Sequence, residues 1–298
     1  MKTRTVTATL LGLALVLAAT AAGAQTRKVD ESRPVDPAAS VSISNLAGTL
    51  EITGWDRDEV RLEGVLDAKV EKVEIEGDRK ALSIEVKYKR NLKGSADATR
   101  LTLRVPRRCA LDAESVSCDV TAGDLLGSVS VSTVSGELIL RGEPASASMA
   151  SVSGDVDAEV ATSRLGIDTV SGGIRIRGKL EDLEIATVSG DVRVETGALR
   201  DFEFNAVSGQ LILTADPTDG ASWMIDAHSG AVVLRLPAKV DATFDISTFS
   251  GDIEDGYGHK AERTSKHAPG RELRFTEGKG GAHIDISGFS SDVKLVKR

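Results

Sequence analysis

The chain has 298 residues, 41% hydrophobic, 28% charged and only 3% aromatic, with 37 basic residues against 45 acidic ones. The formal net charge of −8 opposes binding to nucleic acid or anionic lipid through a global field. Past the first 24 residues no apolar stretch approaches the ~20 residues that a membrane-spanning helix needs.

Residues 1–24 read as an export signal. Lys2 and Arg4 give a basic start, LLGLALVLAATAA an apolar run, and Ala22-Gly23-Ala24 a small-residue cleavage site before Gln25. Cleavage after Ala24 predicts a soluble periplasmic or extracellular protein, and Gln25 in place of cysteine gives no support to a lipid anchor. Without Lys2 and Arg4, the mature chain carries 35 basic against 45 acidic residues. Residues 25–40 (QTRKVDESRPVDPAAS) are polar, hold two prolines and lack periodicity, which predicts a flexible leader.

From Val41 to the C-terminus a single β domain is expected. Within it, 41–110 should form an N-terminal cap and irregular coils, because DEVRLEGVL, KVEIEG, ALSIEVKY and TRLTLRV read as strands without a repeat marker. Residues 111–255 hold the regular repeats. TVSGELIL, SVSGDVDA, TVSGGIRI and TVSGDVRV place Gly136, Gly154, Gly172 and Gly190 at spacings of 18. Gly209, Gly230 and Gly251 follow at 19, 21 and 21. Cys118 in SVSCDVTA holds the same place one period earlier, Gly48 looks like a detached first copy and Ser291 like the last. A fixed period of this size marks stacked supersecondary units.

Aligned on the glycine, apolar residues recur two and four positions after it and five and seven before it, as at Val156, Ala158, Met149 and Ala147. Alternation by two on both sides predicts two short strands per coil of about 18–21 residues, hence an all-β, single-domain β-solenoid. The glycine column has inward parity, which would let the backbone turn or the two walls approach closely. Adjacent Thr-Val pairs before it suggest a bulge or corner. Five of the six phenylalanines, with Trp223, are expected in core columns of the later, longer coils. Residues 256–298 should form a protruding loop (257–270) and the last coils, with Gly270 marking a degenerate copy.

The TVSGD-type copies, LTLRVP at 101–106 and GKGGAHIDISGFSSDVKL at 278–295 resemble the bacterial β-strand-repeat family called domain of unknown function 4097, whose members are labelled putative adhesins. The resemblance implies an exported β-solenoid linked with the cell envelope and surface adhesion, and it brings no catalytic residues with it.

The residues themselves supply no catalytic, cofactor or metal set. Ser135, Ser153, Ser171, Ser189 and Ser208 form a ladder, which fits structure better than a nucleophile. His228 stands where other copies have valine, in what reads as a core column. His259 and His267 share the loop with Glu262 at no established metal spacing. Repeat-in-toxin calcium rolls need G-G-x-G-x-D twice per coil; here one S-G-[DE]-like step occurs. Asp119, Glu137 and Asp155 form an acidic column, the one place to look for hydrolysis. Together with Arg175, Asp191 and Arg193 they make a mixed-charge outer wall, the candidate binding face. Arg141, Glu159, Arg177 and Glu195 alternate in charge and should fix register. Trp55, Tyr88 and Tyr257 are the aromatic residues expected at the surface. Cys109 and Cys118, half a coil apart, could face each other and bridge in an oxidising compartment. The sequence thus reads as an exported, non-enzymatic, adhesin-like or envelope binding protein whose partner is a surface polymer or protein. The alternative is an envelope-stress-linked structural accessory with a protein partner, and a polysaccharide hydrolase or lyase stands behind it.

Overall fold

A computed structural model of the protein describes residues 27–90, 99–265 and 269–298. The export signal with its cleavage site, and His267, lie outside the described residues. Among the described residues the regular structure is all β, with strands joined through one continuous sheet.

The repeats stack in parallel, as the period requires. Ala147, Leu165, Leu183 and Phe202 are successive partners on one wall. Leu138, Val156, Ile174 and Val192 are successive partners on the other. Their side chains meet between the walls in one hydrophobic cluster running from Val35 to Leu295. The extra residue that lengthens the spacing to Gly209 is absorbed at a corner, where the register shifts between Gly178 and Asp182.

The glycine column is explained between rungs rather than between walls. A Cβ on Gly154 would stand 1.9 Å from the carbonyl oxygen of Gly136, and one on Gly190 would stand 2.2 Å from that of Gly172. Each glycine crosses directly over the carbonyl of the rung before it, where no side chain fits. Gly136, Gly172, Gly209 and Gly230 also have φ between 125° and 133°.

Both ends of the stack depart from sequence order. The first copy, Ser40–Trp55, pairs in parallel with Ala110–Gly123 on one side and with Ala81–Tyr88 and Arg100–Pro106 on the other. Outside these lie antiparallel strands, Val70–Gly77 against Ala81–Tyr88 and Glu59–Leu66 against Arg100–Pro106. The last copy, Ala282–Lys297, is likewise internal. It inserts between the rung containing Trp223 and the rung containing Phe244.

Several expectations are corrected here. Arg27–Pro34 is not a loose leader: it forms an antiparallel strand along Glu59–Leu66. That strand's free edge offers a row of unpaired N–H and C=O groups, and a charged, proline-ended segment is suited to cover it. Gly270 marks no copy, because Arg271–Glu277 runs antiparallel to Ala242–Thr248 and closes the end. Four of the six phenylalanines are buried, Phe202, Phe204, Phe244 and Phe275, whereas Phe249 and Phe289 are each 49% exposed.

Candidate functional site

The candidate binding face is exposed at Asp119, Glu137, Asp155, Arg175, Asp191 and Arg193. Its carboxylates, however, serve the corner. Asp119 accepts a hydrogen bond from the Glu137 N–H at 2.9 Å, Asp155 from the Gly173 N–H at 2.7 Å, and Asp191 from the Gln210 N–H at 3.2 Å. Each aspartate satisfies an amide of the next rung that the strand ladder leaves unpaired. Arg175 lies 3.6 Å from Asp157. The alternating column pairs as its charges require, Arg141 to Glu159 at 3.3 Å and Arg177 to Glu195 at 3.8 Å.

The cysteines are free and buried. Cys109 immediately precedes the extended strand Ala110–Gly123, and Cys118 lies nine residues further along it. Most of nine residues at ~3.3 Å each separates them by more than ~20 Å, far beyond the ~7 Å limit for a bridge. Half a coil is the length of the strand itself, not the distance across the core. Burial pushes the Cys109 thiol up to about 12 and the Cys118 thiol to about 11.

The aromatic residues expected at the surface are half-buried and bonded inward. Trp55 donates to the Glu59 carbonyl at 2.8 Å, Tyr88 to Asn45 Oδ1 at 2.8 Å, and Tyr257 to the Pro237 carbonyl at 2.7 Å. His259 is held by Asp255 at 3.0 Å and lies on the Phe275 ring at 4.1 Å. Among the described residues no group of three or more His, Cys, Asp or Glu is placed to hold a metal ion.

The surface that sequence reasoning missed is built by T-V-S-G itself. Thr133, Ser151, Thr169 and Thr187 turn inward and are buried; the valine that follows each turns outward. Pairing skips this valine, joining Ser151 to Thr169 and Ser153 to Ser171. The valine carbonyl freed by the skip is taken by the serine of the next rung. Ser171 donates to the Val152 carbonyl at 3.2 Å, and Ser229 to the Val207 carbonyl at 3.2 Å. This is the structural role of the serine ladder.

Val116, Val134, Val152, Val170, Val188 and Val207 are therefore 43–52% exposed in one line. His228, Phe289 and Phe249 continue it, stacked ring on ring at 5.0 Å each. His228 thus stands in an outward column, not a core one. At ~4.8 Å per rung this apolar ridge is roughly 38 Å long.

Beside the ridge runs an open groove of about 820 Å³. Its floor is the hydroxyl ladder of Thr133, Ser151, Thr169 and Thr187, and its far bank carries Ala150, Asp168, Ala186, Asn205 and Asp226. Thr169 donates to Thr187 Oγ1 at 3.0 Å, while Ser151 Oγ finds no partner among the described residues. Small side chains keep the groove shallow and valines keep one bank apolar, an arrangement suited to burying a long, linear surface. The signal was present in the sequence: counting by twos from Met149 puts Ser151 inside and Val152 outside.

Among curated proteins none matches the chain. Several solved structures do. A putative adhesin from Parabacteroides distasonis is 10% identical with a TM-score of 0.40, over 91% of this chain and 97% of that one. A putative adhesin from Bacteroides fragilis is 10% identical with a TM-score of 0.34, over 91% and 97%. A putative lipid binding protein from Parabacteroides distasonis is 10% identical with a TM-score of 0.31, over 93% and 98%. The profile of the family described as Toastrack DUF4097 matches residues 39–296, so the chain belongs to that family.

Proposed function

We propose that this protein is an exported, non-enzymatic binding protein of the cell envelope or surface, adhesin-like in action, whose docking surface is the valine ridge with its groove. The observation that carries this reading is the ridge. Six valines and two phenylalanines, each about half exposed, lie in one line, with exposed His228 between Val207 and Phe289. Contiguous apolar surface of that extent on a folded protein marks an interaction site. A shallow groove with an apolar bank suits extended contact with a protein or polymer better than enclosure of a small molecule. The two carboxylates on the far bank, Asp168 and Asp226, are three rungs apart with Ala186 and Asn205 between them. That spacing suits placement of a partner rather than paired acid–base work. Export is supported by the basic start, apolar run and Ala22-Gly23-Ala24. Among the described residues no helix is long and apolar enough to cross a membrane.

The test uses purified residues 25–298 and isolated envelopes. Saturable binding that Val170→Lys weakens at least tenfold, and that Arg193→Glu leaves intact, is the expected result. Equal binding by both variants would remove the ridge from the reading. Hydrolysis of polysaccharide or peptide, lost in Asp155→Asn or Glu137→Gln, would replace it with an enzyme.

A further inference from the structure

We propose that the partner seated on the ridge is a second copy of this chain, related by a two-fold axis near Val188 with the two stacks antiparallel. The proposal rests on the ridge being the docking surface and adds what docks there.

Area is the first argument. Exposures of 43–52% on the six valines and 49% on Phe249 and Phe289 amount to roughly 600 Å² of apolar surface. That is the upper end of what a monomer carries, and with the adjoining groove it nears the ~800 Å² per partner of a standard interface. Shape is the second. A two-fold axis lying in the interface across the stack reverses the order of the rungs and keeps the lateral order. Ridge then meets ridge and bank meets bank, the same patch on both subunits as an isologous dimer requires. Both surfaces repeat at the strand spacing of ~4.8 Å. Two copies therefore stay in step along the whole length, which a ligand of any other period does not.

Charge decides the rung on which the axis sits. The far bank of the groove reads Ala150, Asp168, Ala186, Asn205 and Asp226 on successive rungs. A two-fold centred on the rung of Asp168 or of Asp226 would set that acid against its own copy. An antiparallel pairing about the Val188 rung sets Asp168 opposite Asn205 and Asp226 opposite Ala150, with no acid facing an acid. The same rotation brings Phe289 opposite Val134 and His228 opposite Val152, large rings against small side chains.

The experiment is sedimentation equilibrium of residues 25–298 with short bis-maleimide cross-linking of single-cysteine ridge variants. The native Cys109 and Cys118 are buried and should stay silent in the folded chain. A concentration-dependent dimer is expected, reduced to monomer by Val188→Lys but not by Lys239→Glu, in an exposed bend outside the ridge. Val188→Cys should cross-link to itself, whereas Val134→Cys, roughly six rungs from its symmetry mate, should not. Interfaces of this size span micromolar to picomolar affinity, so a chain still monomeric at about 100 µM overturns the proposal. A dimer that survives Val188→Lys also overturns it, and self-cross-linking at Val134 overturns the antiparallel direction. A strict monomer whose envelope binding still needs Val170 would leave the docking surface standing and remove only the second copy. A monomer indifferent to both substitutions would remove both.

Discussion

Gly172→Ala is the sharpest test of how the rungs stack. An added Cβ would lie 2.3 Å from the Gly154 carbonyl oxygen and 2.9 Å from its carbon, at a φ of +133°. Ordinary C···O contact is ~3.3 Å, so the rungs would have to part by about 1 Å where the hydrogen-bond ladder holds them together. The backbone conformation alone costs an L-residue ~1–3 kcal/mol. Together these give a loss of at least ~3 kcal/mol, which for a chain of this size lowers Tm by roughly 6–12 °C. Gly166, six residues earlier on the same rung, is the control, because a Cβ there meets nothing within 4 Å. Gly166→Ala should stabilise by ~0.4–1 kcal/mol through the unfolded chain. Differential scanning calorimetry of the two variants should therefore show shifts of opposite sign. Equal melting temperatures would refute the account of the glycine column, and so would a Gly172→Ala no worse than a surface change at Arg175.

Asp155→Ala should lower Tm more than Asp155→Asn, since asparagine keeps an acceptor for the Gly173 N–H at 2.7 Å, and thermal melts of the pair would show it. Intact mass should show no loss of two protons, and thiol labelling at pH 8 should be negligible until the chain is unfolded, because both thiols are buried. Their raised values, about 12 for Cys109 and about 11 for Cys118, keep the folded thiols neutral while unfolded ones ionise near pH 9. The stability they contribute is complete below pH ~9 and is lost as pH rises towards 12, visible as a falling urea midpoint that Cys109→Ser flattens. Trp223→Ala empties a site that is 1% exposed and should cost ~3–5 kcal/mol, whereas a substitution costing under ~1 kcal/mol would place Trp223 outside the core.

The register of the middle rungs was legible because each residue there pairs with one eighteen positions away, so a column in the sequence is a column in space. Val156, Ile174 and Val192 show this directly. The ends were not legible. Ser291 continues the pattern in sequence, yet its rung sits inside that of Gly251, and nothing local in GFSSDVKL specifies which edge it joins. Arg27–Pro34 lacks apolar alternation because it covers an edge and buries almost nothing, so its pairing leaves no hydrophobic trace. At the site, chemistry misled where parity did not. Charged side chains at Asp155 and Asp191 drew attention as a surface, although they answer a backbone need. Valine at 134, 152 and 170 read as a corner element because an apolar side chain is expected inside, while strict alternation from Met149 points it out.

The inward return of the chain at both ends restricts how such a stack could change in length. Residues 156–173 span one period in the middle, and removing them joins like to like: Asp155 would be followed by Ile174, which already occupies the position of Val156 one rung on. Growth or loss of copies is therefore tolerated in the interior. At the C-terminal end it is not, because Ala282–Lys297 fills a slot bounded by two rungs made earlier. Synthesis must reach those last strands before the rung of Phe244 has its parallel neighbour. A chain halted at Gly281 would leave two facing edges open to pair with another molecule.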